Sequence, residues 1–156
     1  KELDIAVAKA EEFISTYFLR YPKVKEYMDG QIKFARENGY VATILGRTRY
    51  ILAINSREQN LRQLAERVAI NTPIQGSAAD LIKLAMININ SEIKRLNINA
   101  HMILQVHDEL VFDVHRDALT QLKALVKANM ENAVKLNVPI KVKVMAGKNW
   151  LEAEEI

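Results

Sequence analysis

The run Gln105-Val-His-Asp-Glu-Leu-Val-Phe-Asp-Val114 sets an imidazole and two adjacent carboxylates, His107, Asp108 and Glu109, where the chain must reverse. Met102, Leu104 and Val106 alternate before the acidic pair, and Leu110, Phe112 and Val114 alternate after it, the period of an antiparallel hairpin. The spacing predicts that each trio shares one face. Carboxylates held at a rigid hairpin tip are hard oxygen ligands, suited to a divalent cation. The plainer reading is a surface turn, since Asp is common in turns.

A second set lies upstream. Arg67, Asn71 and Gln75 are spaced i, i+4 and i+8, which stacks them along one face of a continuous helix. Such a row suits the acceptors of the minor groove, which are similar across all base pairs. The plainer reading pairs Arg67 with a helical glutamate and uses Asn71 and Gln75 as caps of a helix broken at Pro73. Arg47 and Arg49 flank a tight turn at Gly46 and fit phosphate contacts. They belong to a group of five with Arg57, Arg62 and Arg67, opposed only by Glu58 and Glu66. Guanidinium forks bind two phosphate oxygens at once, although a solvated, ion-paired helix face would look the same. His101 and His115 sit at strand ends without an evident partner and read as structural.

These residues need elements to hold them. Asp4 is placed to cap a helix to about Arg20, with Ile5, Ala8, Phe13, Tyr17 and Phe18 near one face. Tyr21-Pro22 breaks it, and Pro22 suits the first turn of a helix to about Glu37, closed by Asn38-Gly39. Tyr40–Ile44 and Arg49–Leu52 read as a short hairpin around Gly46. From Arg57 the helical period returns, with Leu61, Leu64, Ala65 and Val68 on one face. Pro73 should end or bend that helix at Asn71-Thr72. A further helix is expected from about Gln75 to Leu96, its small-residue start Gly76–Ala79 permitting close backbone approach. After the hairpin at 101–114 the pattern predicts a helix from about Asp117 to Leu136. The alternation of Val138–Met145 then predicts a strand, with Pro139 near its start or on an edge. Helices with mostly antiparallel hairpins make the fold α+β.

Composition narrows the class without naming a function. The chain has 156 residues, 49% hydrophobic and 26% charged, the balance of a folded globular chain with one core or two small lobes. No run approaches the ~18 apolar residues of a membrane span. Lys1-Glu-Leu-Asp-Ile5 lacks the apolar stretch of a secretion signal. Cysteine is absent, which excludes disulfides and thiolate metal sites and is compatible with a reducing cytoplasm. A net charge of +3 says little about nucleic acid by itself.

Gln105–Leu110 resembles the third motif of family A DNA polymerases, the bacterial DNA polymerase I type. Three further blocks fit the same family in the same order. Gly39–Thr43 with Gly46–Tyr50 comes first, then Ala65–Lys83, and finally Gly147-Lys-Asn-Trp150. The resemblance spans essentially the whole chain. It implies a carboxy-terminal palm and fingers portion, with antiparallel palm hairpins packed on long helices. Residues 1–100 would be mainly finger and palm helices with a small hairpin, and 101–156 the palm hairpin, a helix and the last strand. The implied activity is template-directed addition of deoxynucleotides to a primer 3′ end through two Mg2+ ions. Primer-template DNA and deoxynucleoside triphosphates would be the partners, in the cytoplasm at the nucleoid.

By that resemblance Asp108 matches a catalytic, metal-binding aspartate, Glu109 an accessory acid and His107 a residue near the primer terminus. Arg67, Asn71 and Gln75 match residues that sense the minor groove of the nascent duplex. Thr48 interrupts a basic run usual in the family, and Leu52-Ala53 replaces a usual proline and acid, which puts the rigidity of that loop in doubt. Trp150 is expected to anchor packing. The family's other catalytic aspartate, on an Asp-Tyr-Ser-Gln-Ile-Glu-like strand, has no counterpart here, nor has its nucleotide-binding helix. Both are expected just before Lys1. Apart from Asp108, the aspartates are Asp4, Asp29, Asp80, Asp113 and Asp117, all in helix, cap or strand-end contexts. The chain alone is therefore expected to be inactive, and uncovered apolar surface to favour self-association. A non-catalytic duplex-DNA-binding module is the alternative. A stand-alone metal-dependent nuclease would need more acidic ligands near the hairpin.

Overall fold

A computed structural model describes residues 6–156, which divide into two compact units, the second beginning at Ser77. Asp4 and Ile5, expected at the start of the first helix, lie outside the described residues.

In the first unit, α1 spans Val7–Arg20 and α2 spans Pro22–Asn38, with Pro22 at the first helical position, where a missing amide proton costs nothing. Gly39 closes α2 in the left-handed region at φ 77°, its N–H bonded to Ala35 O at 2.8 Å. Strands β1 (Tyr40–Ala42) and β2 (Thr48–Tyr50) pair antiparallel with Tyr40 opposite Tyr50, the expected hairpin but with strands that stop short of Ile44 and Leu52. The core joins Ala35, Val41, Ile51 and Ile54 to Ala65 and Ala69 of the next helix. No residue of α1 is buried.

That next helix corrects the sequence reading. It neither ends at Asn71-Thr72 nor restarts at Gln75: α3 runs unbroken from Gln59 to Arg95 with Pro73 inside it. Local sequence signals a break because proline removes one helical donor and crowds the preceding turn. Here side chains from other elements hydrogen-bond to Ile70, Thr72 and Gly76 around it.

In the second unit, Ala85, Ile89 and Ile93 of α3 pack with Ile98, Ala100, Leu122 and Val126. Strand β3 (Ala100–Val106) pairs antiparallel with β4 (Glu109–Val114). The register slips by one between Met102 and Leu104, so Ile103 is an extra residue. Met102, Leu110, Phe112 and Val114 rest on the core, but Leu104 is 47% exposed. The expected common face of Met102, Leu104 and Val106 is therefore wrong beyond Met102, because a one-residue bulge turns every later side chain over.

A single 3-10 turn at Arg116–Ala118 leads into α4 (Leu119–Glu131), shorter than the helix expected to Leu136. The Asn132 backbone N–H and its side-chain amide group both donate to Ala128 O, at 3.1 and 2.8 Å, as the helix stops. Of the strand expected over Val138–Met145, only Met145 enters a ladder. β5 (Met145–Ala146) pairs with β6 (Glu154–Glu155). Residues 140–146 still alternate between half-buried and exposed, yet periodicity makes a strand only where a partner chain supplies the ladder. Val142 N–H instead bonds the Glu131 carboxylate at 3.1 Å. The fold is α+β, with three separate antiparallel pairs among the described residues. Among the described residues no helix is long and apolar enough to cross a membrane.

Candidate nucleic-acid and metal site

His107 and Asp108 form the two-residue turn between β3 and β4, and Val106 faces Glu109 across its base. His107 has φ 54°, whereas Asp108 is not in the left-handed region. Positive φ at the first position alone is the pattern of a II′ turn, normally a glycine position. A side chain there costs on the order of 1–3 kcal/mol. Gln105 Nε2 donates to the His107 carbonyl at 3.1 Å and steadies the turn. The structure thus brings all three sequence-predicted residues together, and all three are exposed. The bulge at Ile103 places Val106 on the face it shares with Glu109, opposite to core-packed Leu110.

The donor set can be tested against two divalent cations. Mg2+ takes about six oxygen ligands in octahedral geometry, usually with one or two carboxylates and several waters. Asp108 and Glu109 supply an adjacent carboxylate pair. Among the described residues no group of three or more His, Cys, Asp or Glu side chains comes together to hold a metal. The residues present do not fit a complete two-cation site.

The second surface lies on α3. Arg67, Asn71 and Gln75 are all exposed and, because the helix is unbroken, stay in one row over a rise of about 12 Å. Ala65 and Ala69 on the opposite side are buried in the core. Glu66 is taken by Arg36 at 2.6 Å, and Arg67 has no ion pair among the described residues. The reading of Arg67 as an ion-paired helix residue and of Asn71 and Gln75 as caps does not describe this helix.

Arg47 and Arg49 sit at the β1–β2 turn as expected, but each is also turned to α3. Arg47 Nη2 donates to Gly76 O at 3.1 Å and Arg49 Nη1 to Thr72 Oγ1 at 3.3 Å. A guanidinium has five N–H donors, so the bond of Arg49 to Thr72 leaves it donors over for a phosphate. Sequence reasoning missed Tyr27, whose hydroxyl donates to Ile70 O at 3.2 Å. Burial pushes its pKa up, which keeps that donor proton in place. Nothing local marks Tyr27, since its acceptor is 43 residues away. The small residue at Gly76 did signal close approach: a Cβ there would lie 2.7 Å from Thr43 Cγ2.

His115 Nδ1 accepts from Asp117 N–H at 3.4 Å and caps the 3-10 turn, a structural use as expected. His101 faces Asp113 across the ladder. Trp150, expected as a packing anchor, is 57% exposed and packs little here. Its segment folds so tightly that a Cβ on Gly147 would lie 2.7 Å from Glu152 O.

The family model for DNA polymerase family A matches residues 1–152. DNA polymerase I of Caldicellulosiruptor bescii is 51% identical over 154 residues, covering 99% of this chain and 18% of that protein. The thermostable DNA polymerase I of Thermus filiformis is 46% identical over 155 residues, with the same coverage of each. A solved structure, the POL domain of Pol1 from M. smegmatis in complex with DNA primer-template and dNTP, superposes with a TM-score of 0.86 at 42% identity. It matches 88% of this chain and 24% of its own. The chain spans about 18% of the length of these curated relatives.

Proposed function

The chain belongs to DNA polymerase family A, and from that premise we propose that it serves template-directed addition of deoxynucleotides to a primer 3′ end. Primer-template DNA and deoxynucleoside triphosphates are its partners, at the nucleoid of the cytoplasm. The observation carrying this reading is the exposed hairpin tip where Asp108 and Glu109 stand side by side in the family's third motif. Asp108 supplies one ligand of a two-Mg2+ site, Glu109 an accessory carboxylate, and His107 lies by the primer terminus. Arg67, Asn71 and Gln75 follow the minor groove, and Arg47 and Arg49 meet phosphates. By function residues 1–100 are finger and palm helices and 101–156 palm, a different kind of boundary from the packing division at Gly76.

The remaining metal ligands come from outside these residues, so the chain alone is inactive. Its exposed apolar side chains, Phe13, Ile14 and Tyr17 of α1 among them, favour self-association. Primer extension tests the reading. The intact polymerase should show magnesium-dependent synthesis that Asp108→Asn abolishes, and the 156-residue chain should show none. Synthesis by the chain alone, lost with Asp108→Asn, would overturn the inactivity. Sedimentation that finds a strict monomer at high concentration would overturn the self-association.

A non-catalytic duplex-binding module is the second reading, favoured by the intact exposed row on α3. It predicts salt-sensitive duplex binding indifferent to Asp108→Asn, in an intact protein that extends no primer.

A further inference from the structure

A row that follows a groove needs a helix that does not break, yet Pro73 lies between Asn71 and Gln75. Proline inside a helix costs about 3 kcal/mol, through the lost donor and the clash of its ring with the preceding turn. Three side chains from outside α3 converge on the turns around it. Tyr27 Oη donates to Ile70 O, Arg49 Nη1 to Thr72 Oγ1 and Arg47 Nη2 to Gly76 O, at 3.2, 3.3 and 3.1 Å. At a net ~0.5–1.5 kcal/mol each, three such bonds match the proline penalty in size.

The seat is shaped as well as bonded. A Cβ on Gly76 would meet Thr43 Cγ2 at 2.7 Å. Thr43 is buried, and its Oγ1 accepts from Arg47 N–H at 3.1 Å. That bond fixes χ1 of a β-branched side chain, so the methyl group cannot swing aside. Only glycine at position 76 lets the β1–β2 turn sit this close.

We propose that the β1–β2 hairpin, with Tyr27, is a splint for α3. Thr43, Arg49 and Tyr27, set against Gly76, Thr72 and Ile70, are positioning residues that keep Arg67, Asn71 and Gln75 in line. They thereby set discrimination against mispaired primer termini. This rests on the polymerase reading above.

The test uses the intact polymerase that contains this chain. Amide hydrogen exchange over residues 70–77 is measured without DNA, and extension rates are compared for matched and mismatched primer termini. Gly76→Ala should speed exchange there by about tenfold as local opening becomes easier, and lower the matched-to-mismatched ratio. Adding Thr43→Ser removes the obstructing methyl group, keeps the hydroxyl, and should restore both readouts. If Gly76→Ala does not fold, Arg49→Ala carries the same test, with faster exchange and a lower ratio. Unchanged exchange, an unchanged ratio despite faster exchange, or no rescue by Thr43→Ser would each overturn the splint. An unmutated enzyme that extends no matched primer would overturn the polymerase reading instead, while exchange in the absence of DNA still decides whether the hairpin splints the helix.

Discussion

The row on α3 and the tip of the β3–β4 hairpin both offer polar side chains to solvent, but their supports differ. Arg67, Asn71 and Gln75 stand on a helix backed by buried Ala65 and Ala69 and gripped by hydrogen bonds from three other side chains. His107, Asp108 and Glu109 stand on a two-residue turn with a left-handed histidine and a hydrogen bond from Gln105. On the proposed reading the row follows a regular duplex and must keep its own spacing, which a braced helix provides. On the same reading the tip contributes only part of a metal site, and local order at the turn is enough for that.

The largest effect expected from that contrast is catalytic. In the intact polymerase Asp108→Asn should reduce synthesis about a thousandfold, equal to ~4 kcal/mol of transition-state stabilisation. Duplex affinity, which the proposed reading assigns to the row, should stay within about a factor of two. An equal loss in both measurements would erase the division of labour. Arg67→Ala should act the other way, weakening primer-template binding by about 1–3 kcal/mol in a fluorescence titration, with a shallower salt slope. Unaltered affinity would remove Arg67 from the interface.

The next effect is on stability. His107→Gly relieves roughly 1–3 kcal/mol of left-handed strain and adds back about 0.5–1 kcal/mol of chain entropy. Denaturant unfolding should therefore show a gain near ~1 kcal/mol, confined to the tip side of the comparison. A loss of stability would mean the turn is not strained at His107. The smallest effect concerns pH on the row side. The Tyr27 pKa is raised by burial, so its contribution is complete below the ordinary tyrosine value of 10.0 and is lost as pH rises through the folded value. Tyr27→Phe should flatten that alkaline fall in melting temperature, and an unchanged profile would locate the fall elsewhere.

How much of this the sequence discloses depends on the range of the interaction involved. Tyr21-Pro22 and Asn38-Gly39 are local signals and mark the bounds of α2 well. The adjacency of Asp108 and Glu109 is legible for the same reason, since neighbours in sequence at a tight turn are neighbours in space. Pro73 misleads because the bonds that hold its helix come from residues 23 to 43 positions away. Val138–Val144 misleads because a strand is a relation between two segments, and alternation describes only one. Arg47 and Arg49 show their charge in the sequence but not the helix they reach. The site's chemical groups are readable, and what holds them in place mostly is not.

The extra residue at Ile103 also gives the hairpin a parity. Because side chains alternate with a period of two, the arm between the bulge and the tip can gain or lose a pair of residues in each strand and keep Glu109 on the same face. Losing one residue from each strand of that arm would instead turn Val106 and Glu109 over to the face of core-packed Leu110. The arm's length is thus free to drift in even steps over evolution, while odd steps are barred unless a second bulge arises to cancel the first.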